Sequence, residues 1–425
     1  MELNFLDELK WRNMLQNHTP GVEKALTTKP RRGYIGFDPT APSLTIGNYI
    51  QIMILKLWQL SGHQPVILMG GATGSIGDPS GKDAERTLKT REELDANLAR
   101  QTEQVRGFLD FEDPKTGALL VNNMEFYEDM NVLEFLRNVG KTLTVNYMMG
   151  KESVKNRLET GISFTEFSYQ LLQAYDFQCL HQKYDCHFQM GGSDQWGNIT
   201  SGIEFIRRNL PDGEAHAITT PLLTKSDGSK FGKSTEGNIW LDPEMTSPYQ
   251  FYQFWLNTSD ADLPVVTRYL TLKSKEDILS LEKTYSNDPR LLKGMLAEEL
   301  TRRIHGDEAF EQVKSVSELL FNKKAGTDLL NSLSKESLNM VGTEIPGYTV
   351  NNIEGPIVRI LVGEEGIFKS NGDLRRAIKN NALSINKEKV KNHELQLKSE
   401  DWLHGKYLMV ENGKKNKFLL QFAED

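Results

Sequence analysis

A chain of 425 residues is longer than one ordinary domain, so two or three are expected, with ample material for a core. A formal charge of -8 and a pI near 5.7 exclude a protein that coats nucleic acid along its whole length, but leave room for a local basic region. Cys179 and Cys186 fit neither a Cys-x-x-Cys pair nor any zinc-ligand spacing, Glu2, Asp7 and Glu8 stand where a signal peptide would be basic, and no apolar run reaches membrane-spanning length; a cytoplasmic enzyme with ordinary thiols is the expectation.

In chain order, Phe5 to Leu15 reads as a short amphipathic helix and Arg31 to Phe37 as a first strand. The stretch from Gly33 to Tyr49 is the organising element. Its apolar run ends at Gly36 to Asp38, meets Pro39 and Pro42, and opens a helix at Asn48 that continues through Ile50 to Leu60. A strand, a loop and a helix start in that order leave a crevice at the strand's carboxyl end, where unpaired N–H groups attract anions. Gly47 lets the backbone come close to a phosphate or ribose. Further strands are expected at Pro65 to Met69, Leu119 to Asn122, His187 to Met190 and Ile218 to Leu222. Helices are expected at Arg91 to Leu109, Val132 to Val139, Phe164 to Phe177 and Asn198 to Arg208. This alternation implies an α/β domain over residues 1–246, a parallel sheet covered by helices on both faces.

After Ser247 the pattern is helical only, at Pro248 to Asn257, Lys275 to Tyr285, Pro289 to His305 and Glu308 to Leu320, which predicts a helical domain over 247–321. Asn322 to Pro356, rich in Ser, Asn, Gly and Thr, reads as a linker with some loose structure over 322–355. The final stretch, 356–425, is a small α+β module. Between Lys369 and Lys417 twelve Lys and Arg face six Asp and Glu, a local charge of +6. Arg375, Arg376 and Lys379 fall on one side of a short helix after Asn371, Ala382 to Asn386 and Lys406 to Val410 read as strands, and Glu411-Asn412-Gly413-Lys414, followed by Lys415, is a hairpin turn. Such a module suits RNA phosphates, or is a solvated lysine-rich surface.

Four clusters carry chemistry. Gly70 to Lys82 follows a strand end but is no Walker loop, because Ile76 stands where its first glycine is needed and Asp83 where Ser or Thr is needed. What remains is a glycine-lined turn, either structural or open to a small ligand, with Asp78 inside it and Lys82 and Arg86 one helical turn apart. The second cluster is Tyr169, Gln173 and Asp176, at i, i+4 and i+7 of a helix opened by a capping box Ser163-x-x-Glu166. A polar stripe is usually the solvated face, but Phe164, Phe167, Tyr175 and Phe177 leave little of this helix suited to water, which favours a polar pocket. The third, Gln189 to Asn198, is again a strand end, a glycine turn and a helix start, where Asp194 can accept from both ribose hydroxyls or Ser193 and Asp194 can simply cap. The fourth, Lys230-Phe231-Gly232-Lys233-Ser234, is a cation clamp for a polyphosphate or a flexible loop without a role.

Taken together, Gly36 to Thr40, the Gly70 to Lys82 turn, Gly161-Ile162-Ser163-Phe164-Thr165-Glu166-Phe167, Gly191 to Asn198 and Lys230 to Ser234 resemble, in order and over nearly the whole chain, the signatures of the bacterial tyrosyl-tRNA synthetases, which are class I aminoacyl-tRNA synthetases. The end module resembles their S4 RNA-binding domain through weaker motifs. The resemblance implies a Rossmann-like catalytic domain, a helical domain that binds the tRNA anticodon, activation of L-tyrosine by ATP, and transfer to the 3′-terminal adenosine of tRNA(Tyr). Tyr34 and Asp176 would bond the substrate phenol. Tyr169, Gln173 and Asp78 would hold its α-ammonium, with Gln189 and Asn123 as supports. Gly36, Asp38, Thr40, Gly47, Gly192, Asp194 and Gln195 would face the carboxylate, ribose and adenosine. Lys82, Arg86, Lys230, Lys233 and Ser234 would surround the leaving pyrophosphate and a Mg²⁺ that comes with ATP, no protein-only metal site being expected. Arg375, Arg376, Lys379, Lys414 and Lys415 would meet RNA.

One signature departs from the family. Its His-Ile-Gly-His or His-Ile-Gly-Asn stands here as Thr45-Ile46-Gly47-Asn48, so activity is expected with weaker stabilisation of the pyrophosphate side. A tryptophanyl-type synthetase and a non-catalytic RNA-binding paralogue are the alternative readings. Against them stand a phenol-suited Tyr34 and Asp176 pair and the retained Lys82, Lys230, Lys233, Asp78 and Asp194. The resemblance also implies a homodimer, with apolar Leu133, Phe135, Leu136, Met148 and Met149 as a candidate interface.

Overall fold

The computed structural model describes residues 3–28, 30–80, 87–155, 157, 161–234, 237–322, 324–413 and 416–423. They form two units, Met1–Thr246 with Phe254–Leu296, and Ser247–Gln253 with Ala297–Asp425.

In the first unit a six-stranded sheet is built from β1 (Asn17–His18), β2 (Arg32–Phe37), β3 (Gln64–Met69), β4 (Leu119–Asn122), β5 (Cys186–Gly192) and β6 (His216–Thr220). Its spatial order is β1-β6-β5-β2-β3-β4, with every pairing parallel except β1 on β6. The apolar run of β3 and the burial of β3 and β5 along nearly their whole length are what a sheet covered on both faces requires. After β2 the chain moves outward through β3 and β4, then returns to the other side of β2 with β5 and β6. The order therefore reverses between β2 and β5, and ligand crevices open at the carboxyl ends of strands at such a reversal.

Four helices frame that point: α1 (Ile46–Leu60), α2 (Arg91–Arg106), α3 (Phe164–Tyr184) and α4 (Trp196–Asn209). Helix α1 starts two residues before the expected Asn48, because Thr45 is its N-cap: the Thr45 hydroxyl donates to Asn48 Oδ1 at 2.8 Å and Asn48 Oδ1 also takes Thr45 N–H at 3.0 Å. Ile46, Ile50, Met53, Ile54, Leu57 and Trp58 bury nearly the whole helix, each contributing roughly 1.5–3 kcal/mol. Helix α3 opens on Ser163, which accepts from Glu166 N–H at 3.2 Å, but the Glu166 carboxylate is turned to Arg157 at 2.7 Å, a pair buried on both sides. The first helix ends at Trp11 rather than Leu15, since Asn13 is left-handed at φ 61°. Arg12 then reaches across to the carbonyls of Thr271 (2.8 Å) and Lys273 (3.0 Å), closing the carboxyl end of helix Leu263–Leu270, an element the sequence pattern did not single out.

The second unit holds helices Asp307–Phe321, Thr327–Ser332 and Lys335–Glu344, then a five-stranded sheet ordered Glu388–Lys389, Leu383–Ile385, Tyr407–Asn412, Asn416–Phe422 and Thr349–Val350. The stretch expected as a linker is thus structured. Leu330, Leu333, Leu338 and Val341 are buried with Val313, Val316, Tyr407 and Leu419, and Thr349–Val350 is a strand of the terminal sheet. The serines read as linker composition are caps, Ser334 accepting from Ser337 N–H at 3.1 Å. The terminal hairpin joins Tyr407–Asn412 to Asn416–Phe422, with Gly413 at φ +77°, so the turn lies two residues beyond the expected Glu411 start. No helix among the described residues is long and apolar enough to cross a membrane.

Candidate active site

At the β2/β5 reversal lies a cavity of about 320 Å³. Its wall takes Tyr34, Gly36, Asp38 and Thr40 from β2 and the loop after it, Gly47 and Asn48 from α1, Asp78 from the glycine turn, Tyr169, Gln173 and Asp176 from α3, and Gln189, Gly192, Asp194 and Gln195 from β5 and its turn. Strand register sets two of these side by side, Tyr34 facing Gln189 across β2 and β5.

One end of the cavity is buried and phenolic. Tyr34 and Asp176 are each 1 % exposed, and the Tyr34 hydroxyl finds no partner among the described residues. Burial and the Asp176 carboxylate push the Tyr34 phenol well above its ordinary range. Asp176 accepts from Tyr127 O–H on Oδ1 at 2.7 Å and from Asn123 Nδ2 on Oδ2 at 2.9 Å; burial nonetheless lifts its carboxyl to about 7, the two donors working against the rise. Gln189 Oε1, also buried, has no donor among the described residues.

The other end is rich in acceptors. Asp78 takes Gln195 Nε2 at 2.7 Å, Ser80 N–H at 2.9 Å and Asn198 Nδ2 at 3.3 Å. The same Asn198 amide lies within reach of Gln173 Oε1 (3.1 Å), Ser80 Oγ (3.2 Å) and Gln195 Oε1 (3.4 Å), so four acceptors compete for two N–H groups. Tyr169 O–H donates to Asp38 Oδ2 at 2.7 Å, and Thr73 O–H to Asp38 Oδ1 at 2.7 Å. Asp38, on the cavity wall, is therefore held by Tyr169 and Thr73. The glycines of the turn exist for close approach. A Cβ on Gly70 would sit 2.0 Å from Asp38 Oδ1, and one on Gly71 2.3 Å from Asn122 Oδ1.

Toward solvent the cavity meets Asp194, whose carboxyl is raised by burial and by Asp78 and drawn back in part by the backbone N–H groups of Asp194 and Gln195 and by Lys230. A second hollow of about 400 Å³ continues past Thr40, Thr45, Asn48, Lys89 and Trp240. Thr45 lines it with its hydroxyl committed to the cap. The exposed Lys230 bridges to Thr224, and Lys233–Ser234 pairs with Gly237–Asn238 through its backbone. Lys82 and Arg86 lie outside the described residues, as do Lys414 and Lys415 and the side chains of Lys233 and Ser234.

Sequence reading missed Tyr127, Thr73, Ser80 and the Asn198 side chain. Asn198 closed a quoted motif, but only the fold shows it reaching Asp78; Tyr127 carried no signal. Phe164, expected to shield the polar stripe, is exposed. Of the apolar residues expected at an interface, Leu133, Leu136 and Met149 are exposed, whereas Met148 is buried and Phe135 packs against the cluster that holds Val139 and Leu143, because neighbouring residues on a helix fall on different faces. In the second unit Arg375, Arg376 and Lys379 are exposed on helix Asn371–Lys379, with Arg376 paired to Asp373. The charge count there overstates the surface, since Lys387 is spent on Glu411 at 2.8 Å and Lys417 on the Leu319 carbonyl at 3.0 Å.

The family described as "tRNA synthetases class I (W and Y)" matches residues 26–322, and "Tyrosine--tRNA ligase SYY-like C-terminal domain" matches 337–420. The chain is 49 % identical over 427 residues to a tyrosine-tRNA ligase of Cytophaga hutchinsonii, covering 99 % of each, and 48 % identical over 428 residues to one of Amoebophilus asiaticus, covering 99 % of this chain and all of that one (100 %). Among solved structures it is similar to a C-terminally truncated mitochondrial tyrosyl-tRNA synthetase of Aspergillus nidulans, at a TM-score of 0.65 and 29 % identity, over 75 % of this chain and 94 % of that one. The chain belongs to the tyrosine-tRNA ligases, within the class I tRNA synthetases.

Proposed function

We infer that the crevice between β2 and β5 is where this chain, as an enzyme of that family, joins tyrosine to ATP and then passes the tyrosyl group to tRNA(Tyr). The observation that carries the reading is that one cavity has a buried Tyr34 hydroxyl, without a partner among the described residues, beside a buried Asp176 carboxylate, and a surplus of acceptors at its far end. A phenol satisfies the first. An α-ammonium, which brings three donors, satisfies the second at Asp78, Gln173 and Tyr169.

With both ends held, the substrate carboxylate faces the strand ends and the start of α1. One of its oxygens bonds to the α-phosphorus of ATP as the bond to the bridging oxygen breaks, and pyrophosphate leaves with the electron pair. The chain supplies orientation and charge stabilisation rather than an acid or a base. Gly36, Thr40, Gly47 and Gly192 allow the nucleotide to approach the backbone, and Asp194 and Gln195 are available to the ribose. The loop of Lys230, Lys233 and Ser234 would neutralise pyrophosphate from one side, with Lys82 and Arg86 as its assigned partners. ATP enters with Mg²⁺ on its phosphates, as substrate.

The same reading assigns tRNA phosphates to Arg375 and Lys379, places the enzyme in the cytoplasm with its tRNA, and assigns a homodimer through the exposed Leu133, Leu136, Val145 and Met149. Exchange of labelled pyrophosphate into ATP tests the pocket. The expected result is exchange with tyrosine and none with tryptophan or phenylalanine. A Tyr34→Phe/Asp176→Ala double variant that preferred tyrosine over phenylalanine as strongly as before would remove the assignment.

A further inference from the structure

Tyr127 does not line the cavity, yet its hydroxyl ends on the carboxylate that does. We infer that Tyr127 is a positioning residue for amino-acid selection, holding Asp176 in the orientation and acceptor state that recognise the substrate phenol. This role rests on Asp176 being the acceptor for that phenol, as proposed for the pocket.

Both donors to Asp176 come from the segment after β4, Asn123 to Oδ2 and Tyr127 to Oδ1, so the carboxylate cannot turn without giving up both bonds. A carboxylate offers about four lone-pair sites, and two occupied sites leave the others for an incoming hydroxyl. The Tyr127 ring is itself fixed. It packs in the cluster of Val66, Leu68, Val121 and Phe177 and meets Tyr175 edge-on with centroids 5.7 Å apart.

A second acceptor gives the hydroxyl a choice, since the Leu172 carbonyl lies 3.0 Å away. With Asp176 ionised, the single proton of Tyr127 goes to the carboxylate, the stronger acceptor. With Asp176 protonated, the acid would donate to the Tyr127 oxygen, and the phenolic proton would turn to Leu172. The arrangement thus favours the ionised form, the only one in which both Asp176 oxygens accept. Among the described residues, the other titratable groups that act on Asp176, or on which it acts, are Tyr34, Tyr169, Tyr175, Cys179 and Asp38, none of them cationic. The opposition to burial comes from the two hydrogen bonds.

The test is Tyr127→Phe in the full chain, with tyrosine KM measured by pyrophosphate exchange from pH 6 to pH 9. Loss of one charge-assisted bond is expected to raise KM for tyrosine about tenfold at pH 6, one pKa unit, with the curves converging by pH 9 and kcat changing less. Replacing Tyr127 by 3-fluorotyrosine, which keeps the shape and strengthens the donor, is expected to move the profile the opposite way. A profile that superposes on the parent, or a KM change equal at every pH, overturns the inference. Asp176→Asn separates the two levels. If it keeps the parent's preference for tyrosine over phenylalanine, the pocket reading fails; if that preference collapses while both Tyr127 replacements leave the pH profile unmoved, the role of Tyr127 alone fails.

Discussion

Replacing Asp176 by asparagine is expected to stabilise the folded chain above neutral pH while destroying its preference for tyrosine. Burial lifts the Asp176 carboxyl from 3.8 to about 7. Because the folded value is the higher one, its contribution to stability is full below the unfolded value and is lost as pH rises through 7. Above that the loss is complete, on the order of 4 kcal/mol at about 1.4 kcal/mol per pKa unit. Asparagine has nearly the same shape and no charge to desolvate. Its Oδ1 can accept from Asn123, and its Nδ2 can donate to the Tyr127 oxygen once that hydroxyl turns to the Leu172 carbonyl 3.0 Å away. The variant should gain about 4 kcal/mol at pH 8 and about 2 kcal/mol at pH 5.5, by the same linkage. Thermal unfolding followed by intrinsic fluorescence at the two pH values reads this as a melting-point gain that shrinks on acidification. A variant less stable than the parent at pH 8, or a difference independent of pH, would refute the reasoning.

Tyr34→Phe removes a buried hydroxyl with no partner among the described residues, so its melting point should hold or rise while KM for tyrosine rises about 2-fold to 13-fold, the worth of one neutral hydrogen bond. A lower melting point would mean the hydroxyl serves the fold. Arg157→Met leaves the Glu166 carboxylate without its buried partner at 2.7 Å and should cost about 3–5 kcal/mol in an unfolding titration; an unchanged midpoint would contradict it. Thr45→His gives up an N-cap worth about 1 kcal/mol yet should form adenylate at least as fast in a stopped-flow assay, and slower formation would count against the pyrophosphate account. Changing Arg375, Arg376 and Lys379 together to alanine should raise KM for tRNA and flatten its salt dependence without touching pyrophosphate exchange, whereas an unaltered salt slope would remove RNA from this face.

The parallel sheet was legible because its strands are short apolar runs separated by helical periodicity, and burial on both faces leaves that imprint. The cavity wall was legible for a related reason. Ligand-facing residues must cluster at strand ends, and glycines mark those ends at Gly36, Gly70 and Gly191. What stayed hidden was contact between distant segments. Nothing near Tyr127 says that its ring reaches helix α3, and nothing near Arg12 says that it closes the distant helix Leu263–Leu270. Residues 322–355 misled for a chemical reason, since Ser, Asn and Gly serve equally in linkers and in helix caps. There the apolar spacing of Leu330, Leu333, Leu338 and Val341 was the better guide.

On the proposed reading of the pocket, helix α3 makes phenol and ammonium recognition inseparable. Tyr169 and Asp176 are seven helical steps apart, with Gln173 between them, so the two ends of the stripe lie roughly 10 Å apart along the axis at about 1.5 Å per step. That separation accommodates one amino acid with a hydroxyl at the far end of its side chain and a hydrogen bond at each terminus. The helix therefore acts as a ruler. Its zero is set by Tyr169 bonded to Asp38 at 2.7 Å, and its far mark by Asp176 clamped between Asn123 and Tyr127. A substrate without the hydroxyl would leave Asp176 ionised, buried and short of a donor, and could relieve that cost only by letting the acid take up a proton. Discrimination should accordingly be strongest where Asp176 is fully ionised and fade as pH falls below about 7.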